Sequence, residues 1–163
     1  MSVLQGGRRT AGRQHGQSLA ELAIGFTVLV LLVSGLLDLG RTYFVHVALE
    51  DGAGEAALFL SINPNCVLPS DGPQCADPNN ALWRARYAGG SGTGGFVDWS
   101  TISDDDIDVS IINTSGDDSL VGDTVRVTIT YQFPLLTPII PQIAGVNPIP
   151  LRGEAVQFIV KEG

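Results

Sequence analysis

The stretch RQHGQSLAELAIGF, residues 13–26, decides the fold. Its second half opens an apolar run, and Leu22 to Leu37 contains no charged residue. A helix drawn from Ser18 to Leu39 would be about 33 Å long at a rise of about 1.5 Å per residue. That length suits a bilayer core of about 30 Å. The same helix must carry Glu21 near one end and Asp38 near the other. Both lie close enough to an end for their side chains to reach the interface. Arg8, Arg9 and Arg13 precede the run and no acid does, which predicts a cytoplasmic N-terminal side and export of everything after Gly40. The expectation is one membrane pass, N-terminus in and C-terminus out, in the cytoplasmic membrane.

Composition narrows the field. The chain has 163 residues, 44% of them hydrophobic, and a net charge of -8 from 9 Lys+Arg against 17 Asp+Glu. The length fits one domain or a domain with an appendage. An acidic body repels phosphate, so a nucleic-acid partner is excluded. A cleaved secretory signal would have a shorter apolar core, about 7–15 residues, followed by a small-residue cleavage site. Here helix-compatible sequence continues through DLGRTYFVHVALEDGAGEAALFLSI, residues 38–62, with no proline before Pro64. RRTAG lacks the apolar residues a twin-arginine signal needs, and NPNC lacks the small residues of a lipoprotein signal. An uncleaved signal anchor remains the alternative.

Against that anchor stands the spacing in HGQSLAE. Gly16 precedes the apolar segment, and Glu21 is the fifth residue counted from Gln17. With the arginines upstream, this resembles the prepilin peptidase site of type IV pilins and pseudopilins. The resemblance implies cleavage between Gly16 and Gln17, usually followed by methylation of the new amine. That amine is cationic at neutral pH. The resemblance further implies that Glu21 neutralises the amine of a neighbouring subunit, which would make Glu21 an assembly latch. An unpaired charge at membrane depth costs roughly 2.5–3.5 kcal/mol, so such pairing selects a docking register. The alternative is an interfacial, snorkelling glutamate.

More narrowly, residues 16–60 resemble the TadE-like family of the tight-adherence (Tad) pilus system, a type IVb pilin-like group. Asp38, Gly40 and Arg41 match that family's acidic-x-glycine-arginine element. GAGEAA, residues 52–57, departs from the family's AAREGA because its arginine is absent, and no role is carried over. The closing stretch from Asp123 to Val160 also resembles the family's final strands and proline-rich crossover. As i,i+3 neighbours with the acid first, Asp38 and Arg41 suit a helical ion pair. It would be either an interfacial pair worth a few tenths of a kcal/mol or a device that sets helix depth or subunit pairing.

Beyond Arg41 the helix is expected to become amphipathic, with Phe44, Val45, Val47, Ala48, Leu49, Ala53, Ala56, Ala57 and Leu60 broadening one face. Gly52 and Gly54 make a bend or break plausible, and Pro64 ends the helix near Ile62. Cys66 and Cys75 bracket a turn-rich loop and are expected to form a disulfide in the exported part. No further Cys or His lies nearby to make a metal site, and His46 reads as a packing or interfacial residue. NNALWRARYA reads as a short helix and GGSGTGG as a flexible loop. In SDDDID, Asp104, Asp105, Asp106 and Asp108 lack the spacing of a calcium loop and read as a solvated turn, though cation binding stays open.

Alternation at Ile107, Val109 and Ile111, then from Val125 to Phe133, predicts strands. FPLLTPIIPQIAGVNPIP, residues 133–150, is an extended apolar crossover barred from a central strand by its prolines, and EAVQFIV is the final strand. The fold class expected is α+β and pilin-like: a long N-terminal helix with a small C-terminal antiparallel sheet. The regions expected are a leader at 1–16, a transmembrane and assembly helix at 17–40, its amphipathic continuation at 41–62 and an extracytoplasmic head at 63–163. No Ser-His-Asp or Cys-His set presents itself, so the chain is read as non-enzymatic and without a cofactor. The function expected is that of a structural subunit, minor or major, of a Tad-type filament or its assembly apparatus. Its expected partners are other pilin-like subunits, a prepilin peptidase, an inner-membrane platform and an assembly ATPase. A monomeric, signal-anchored extracellular binding or adhesion module is the alternative.

Overall fold

Helix α1 spans Gly12–Ile62, 51 residues in one run. The structure, a computed structural model, describes residues 12–87, 95, 97–114, 116, 120–137, 142, 145 and 148–161, and only the backbone of 12–15. The helix begins ahead of the expected Ser18, so the Gly16–Gln17 bond lies within its first turns. It ends at Ile62, where Asn63 and Pro64 take over. Helix continues through both Gly52 and Gly54 without the break considered there. Gly52 is instead a close-approach site: a Cβ there would sit 2.6 Å from the Ala85 carbonyl oxygen and 3.0 Å from the Trp99 ring. The glycine lets a second helix lie directly on the first.

That second helix, α2, spans Ala81–Tyr87. Asn80 starts it. Its Oδ1 accepts a hydrogen bond from the Trp83 amide at 2.8 Å, and its Nδ2 donates to the Cys75 carbonyl at 3.1 Å and to Asp77 Oδ1 at 2.6 Å. This satisfies an otherwise orphaned amide of the first turn.

Three strands form one antiparallel sheet in the order β1-β2-β3: β1 Ile107–Ile112, β2 Thr124–Phe133 and β3 Ile149–Phe158. Ile107 pairs with Ile129 across β1 and β2, and Phe133 with Ile149 across β2 and β3. Strand β3 starts earlier than EAVQFIV predicts and includes Pro150. As an edge strand it can hold a residue that donates no ladder bond on its open side. The GGSGTGG loop, the turn between β1 and β2 and much of the crossover after Thr137 fall largely outside the described residues.

One core joins these elements. Val45, Leu49, Ala53, Ala56, Ala57 and Leu60 recur at spacings of three and four, so they line one stripe of α1. The stripe meets the inward face of β2, Val125, Val127, Ile129, Tyr131 and Phe133, with Leu82 and Ala85 of α2 alongside. Each large aliphatic side chain buried there contributes about 1.5–3 kcal/mol. The alanines let the sheet come close, and Gly153 of β3 sits against the backbone of Leu49 and Glu50. The α+β, pilin-like arrangement expected from the sequence is therefore the observed one.

Candidate functional site

Two parts of α1 carry the chemistry of interest: a stem with no cover, and a clamp that joins the stem to the head. From Gly16 to Leu37 almost every side chain is exposed, including Leu22, Ile24, Phe26, Leu32 and Leu36, and only Ser34 and Gly35 are half-buried. A window of this helix has mean hydropathy 2.4, so by length and composition it could cross a membrane. A single charged residue, Glu21, lies between Gln17 and Leu37. The Gln17 side-chain amide donates to Glu21 Oε1 at 3.1 Å, one helical turn apart. Glu21 is thus exposed and held by a neutral donor within its own chain.

The clamp lies where the stem stops. Asp38 is only 3% exposed. Its Oδ2 accepts a hydrogen bond from the Thr137 amide at 2.8 Å, and its Oδ1 accepts one from the Leu136 amide at 3.2 Å. Arg41 Nη1 lies 3.5 Å from the same Oδ1, an ion pair without hydrogen-bond alignment. The Arg41 guanidinium also sits 5.0 Å from the centre of the Phe133 ring. The acidic-x-glycine-arginine element therefore grips the chain just after β2, about a hundred residues downstream. A buried carboxylate facing two amides is a more specific contact than the exposed i,i+3 pair considered from sequence alone.

The first turn of the head is closed by a disulfide between Cys66 and Cys75, whose Cα atoms are 5.1 Å apart. His46 stands exposed on α1 with Nδ1 3.7 Å from Glu50 Oε1. The aspartates of the acidic run are engaged locally. Asp104 pairs with Arg86, and Asp106 Oδ2 accepts bonds from the Ser103 hydroxyl at 2.7 Å and amide at 2.9 Å. Those two Ser103 bonds hold the Asp106 carboxyl below its ordinary range, against a smaller opposing effect of burial. A cleft of about 350 Å³ beside β2 is lined in part by Asp98, Asp106, Thr130 and Tyr131. Asp98 caps the Trp99–Thr101 turn through Ser100, so both carboxylates in the cleft already serve as caps. Among the described residues no group of three or more His, Cys, Asp or Glu is placed to hold a metal ion.

This geometry, a bare apolar stem with one carboxylate and an Asp-x-Gly-Arg clamp, coincides with a family match. The family model for TadE-like protein matches residues 16–58. The helix is TadE-like. The match begins at Gly16, ends inside α1 and includes Glu21, Asp38 and Arg41, while the head lies beyond it. No curated protein and no solved structure matches the chain significantly. The likeness to TadE-like proteins rests on that stretch of α1 alone.

Sequence reasoning placed Asp38 and Arg41 together but missed what they hold. The signal that could have found it was the pairing of a helix-embedded acid with a proline-flanked crossover whose amides lack sheet partners.

Proposed function

We propose that this TadE-like chain is a structural subunit, minor or major, of a Tad-type filament or its assembly apparatus. The supporting observation is the stem. Leu22 to Leu37 offers apolar surface on all sides with no cover from its own chain, and Glu21 is its one charge. A prepilin peptidase cuts between Gly16 and Gln17, removing Arg8, Arg9 and Arg13 and no acid. The leader then comprises residues 1–16, the assembly helix 17–40, its amphipathic continuation 41–62 and the extracytoplasmic head 63–163. Heads this acidic repel one another, so association rests on the helices. Between apolar helices in lipid, packing and polar pairs set the register. Glu21 exchanges its Gln17 amide for the cationic α-amine of a neighbour, and an inner-membrane platform and an assembly ATPase drive insertion.

The test uses the full chain in a host that supplies its own prepilin peptidase. The mature N-terminus should be Gln17. A Glu21→Leu chain should be cut and inserted like the parent yet stay out of sheared filaments and priming complexes, with Glu21→Gln intermediate. A native chain still starting at Met1 or Ser2 would favour the signal-anchored binding module. Normal assembly of Glu21→Leu would make Glu21 merely interfacial.

A further inference from the structure

The clamp does more than join stem to head: it fixes a hydrophobic residue of the head at a set level along the helix. Leu136 is 69% exposed although its amide is tied to Asp38. Within the next two turns of the helix Leu39, Tyr43 and Phe44 are also exposed. With about 3.6 residues per turn, Leu39 and Tyr43 lie on the side of α1 away from Asp38 and Arg41, and Phe44 flanks Arg41. Leu136 is held on the Asp38 side, so the four apolar side chains surround the helix and do not form a one-sided patch. The distance along the axis is informative as well. From Gln17 to Asp38 the helix climbs about 32 Å at about 1.5 Å per residue, close to a bilayer core of about 30 Å. Tyr43 and Phe44, in edge-on contact at 6.0 Å, are then placed where aromatic residues gather at membrane–water boundaries.

We infer that Leu136 is a second membrane anchor, inserted into the outer interface of the bilayer and held at that depth by the Asp38 clamp. The inference rests on the reading of α1 as a membrane span. Lipid is the occupant because it presents the same apolar surface on every side, whereas a partner helix covers one face. The ring is also continuous with the stem below it. Anchored at both Tyr43–Phe44 and Leu136, the head is held in one orientation against the membrane instead of swivelling on a single helix.

Depth-dependent quenching tests this in the full chain. The described cysteines are joined in the Cys66–Cys75 bond, so an introduced cysteine is a unique labelling site. Leu136→Cys, Leu32→Cys in the stem and Leu58→Cys on the distal helix are each labelled with bimane. The proteins are reconstituted in phosphatidylcholine vesicles, with iodide as aqueous quencher and a nitroxide near the lipid headgroup as membrane quencher. The label at 136 should be quenched by the lipid nitroxide at least about twofold more than the label at 58, as expected for an interfacial residue. If the label at 32 is in lipid while that at 136 behaves like that at 58, the second anchor is wrong and the span survives. If the label at 32 is itself outside lipid, both readings fall. Shielding at 136 from both quenchers would mean that protein covers it, which also overturns the inference. Adding Asp38→Ala should move the label at 136 toward iodide, and unchanged quenching would sink the clamp's part. Should that variant unfold the head, the three single labels still decide.

Discussion

The two halves of α1 obey one backbone geometry and have opposite fates. Between Val45 and Leu60 the apolar stripe is covered by β2, β3 and α2, and its residues are fully buried. Between Leu19 and Leu37 the apolar side chains are just as large, yet the chain supplies nothing to cover them. The difference lies in the polar residues. The distal half alternates its stripe with His46, Glu50, Asp51 and Glu55, so one face wants water and the other a core. The stem lacks a polar face, and a helix apolar all round needs lipid or other helices. Asp38 marks the changeover.

The head half is sharpest to test at its tightest contact. A Cβ on Gly153 would lie 2.3 Å from the carbonyl carbon of Leu49 and 2.5 Å from the Glu50 amide nitrogen. Both are backbone atoms of a helix, so they cannot yield without moving the helix off the sheet. Gly153→Val should cost about 3 kcal/mol, the upper end of the usual overpacking range. Denaturant unfolding of the full chain in detergent measures it, and a loss below about 0.5 kcal/mol would mean that helix and sheet do not meet there.

Next in size is the disulfide. Closing the loop between Cys66 and Cys75 stabilises the head by about 2–3 kcal/mol in the chain-entropy picture. Cys66→Ser should lower the unfolding midpoint accordingly and leave membrane insertion as it was. Reduction of the parent chain should reproduce the loss, and free thiols in native, non-reduced material would contradict the bond itself.

The ease of reading these parts from sequence follows the range of the forces involved. The helix end at Ile62, the short helix at 81–87 and strands β1 and β2 were legible because proline position and alternation are local signals. The stem and the Glu21 spacing were equally plain. What escaped was set by distant neighbours. Gly52 and Gly54 look like a weak point in isolation, but Gly52 is there for Ala85 and Trp99. Pro150 looked incompatible with a central strand, and only the strand order reveals that β3 is an edge. Asp38 was recognised as half of an ion pair, whereas its main partners are the amides of Leu136 and Thr137. A carboxylate's partners a hundred residues away leave no periodicity to read.

A smaller effect belongs to Asp106, in the head's entry to β1. Its carboxyl is held below the ordinary value of 3.8 by the Ser103 hydroxyl and amide, so the folded state favours the ionised form. The resulting stability is present above the unfolded value and disappears as pH falls through the lower folded one. Below pH 3.8 the parent should therefore lose stability that Asp106→Asn does not have to lose. Unfolding midpoints for the two chains should converge as pH drops. Parallel curves would show that the Ser103 cap contributes nothing that depends on charge.

The smallest expected effect is the one that most directly challenges the contrast between the halves. Leu29 in the stem is 56% exposed, and Leu49 in the head half is fully buried. Leu49→Ala removes side-chain atoms from a filled core and leaves a cavity, so it should cost about 2–5 kcal/mol. Leu29→Ala removes the same atoms from a largely exposed surface of the stem. Its effect on head stability should stay within about 0.5 kcal/mol. Alanine is also the better helix former, so the stem should not unwind. Both variants are compared by denaturant unfolding of the full chain in detergent, read from the burial of Trp83 and Trp99 in the head. Equal losses would mean that the stem folds back on the head or is held by it, and that its bare surface is not available to lipid or to neighbouring subunits. A silent Leu29→Ala beside a costly Leu49→Ala would instead separate a half of the helix that holds the head's fold from a half that contributes nothing to it, divided at Asp38.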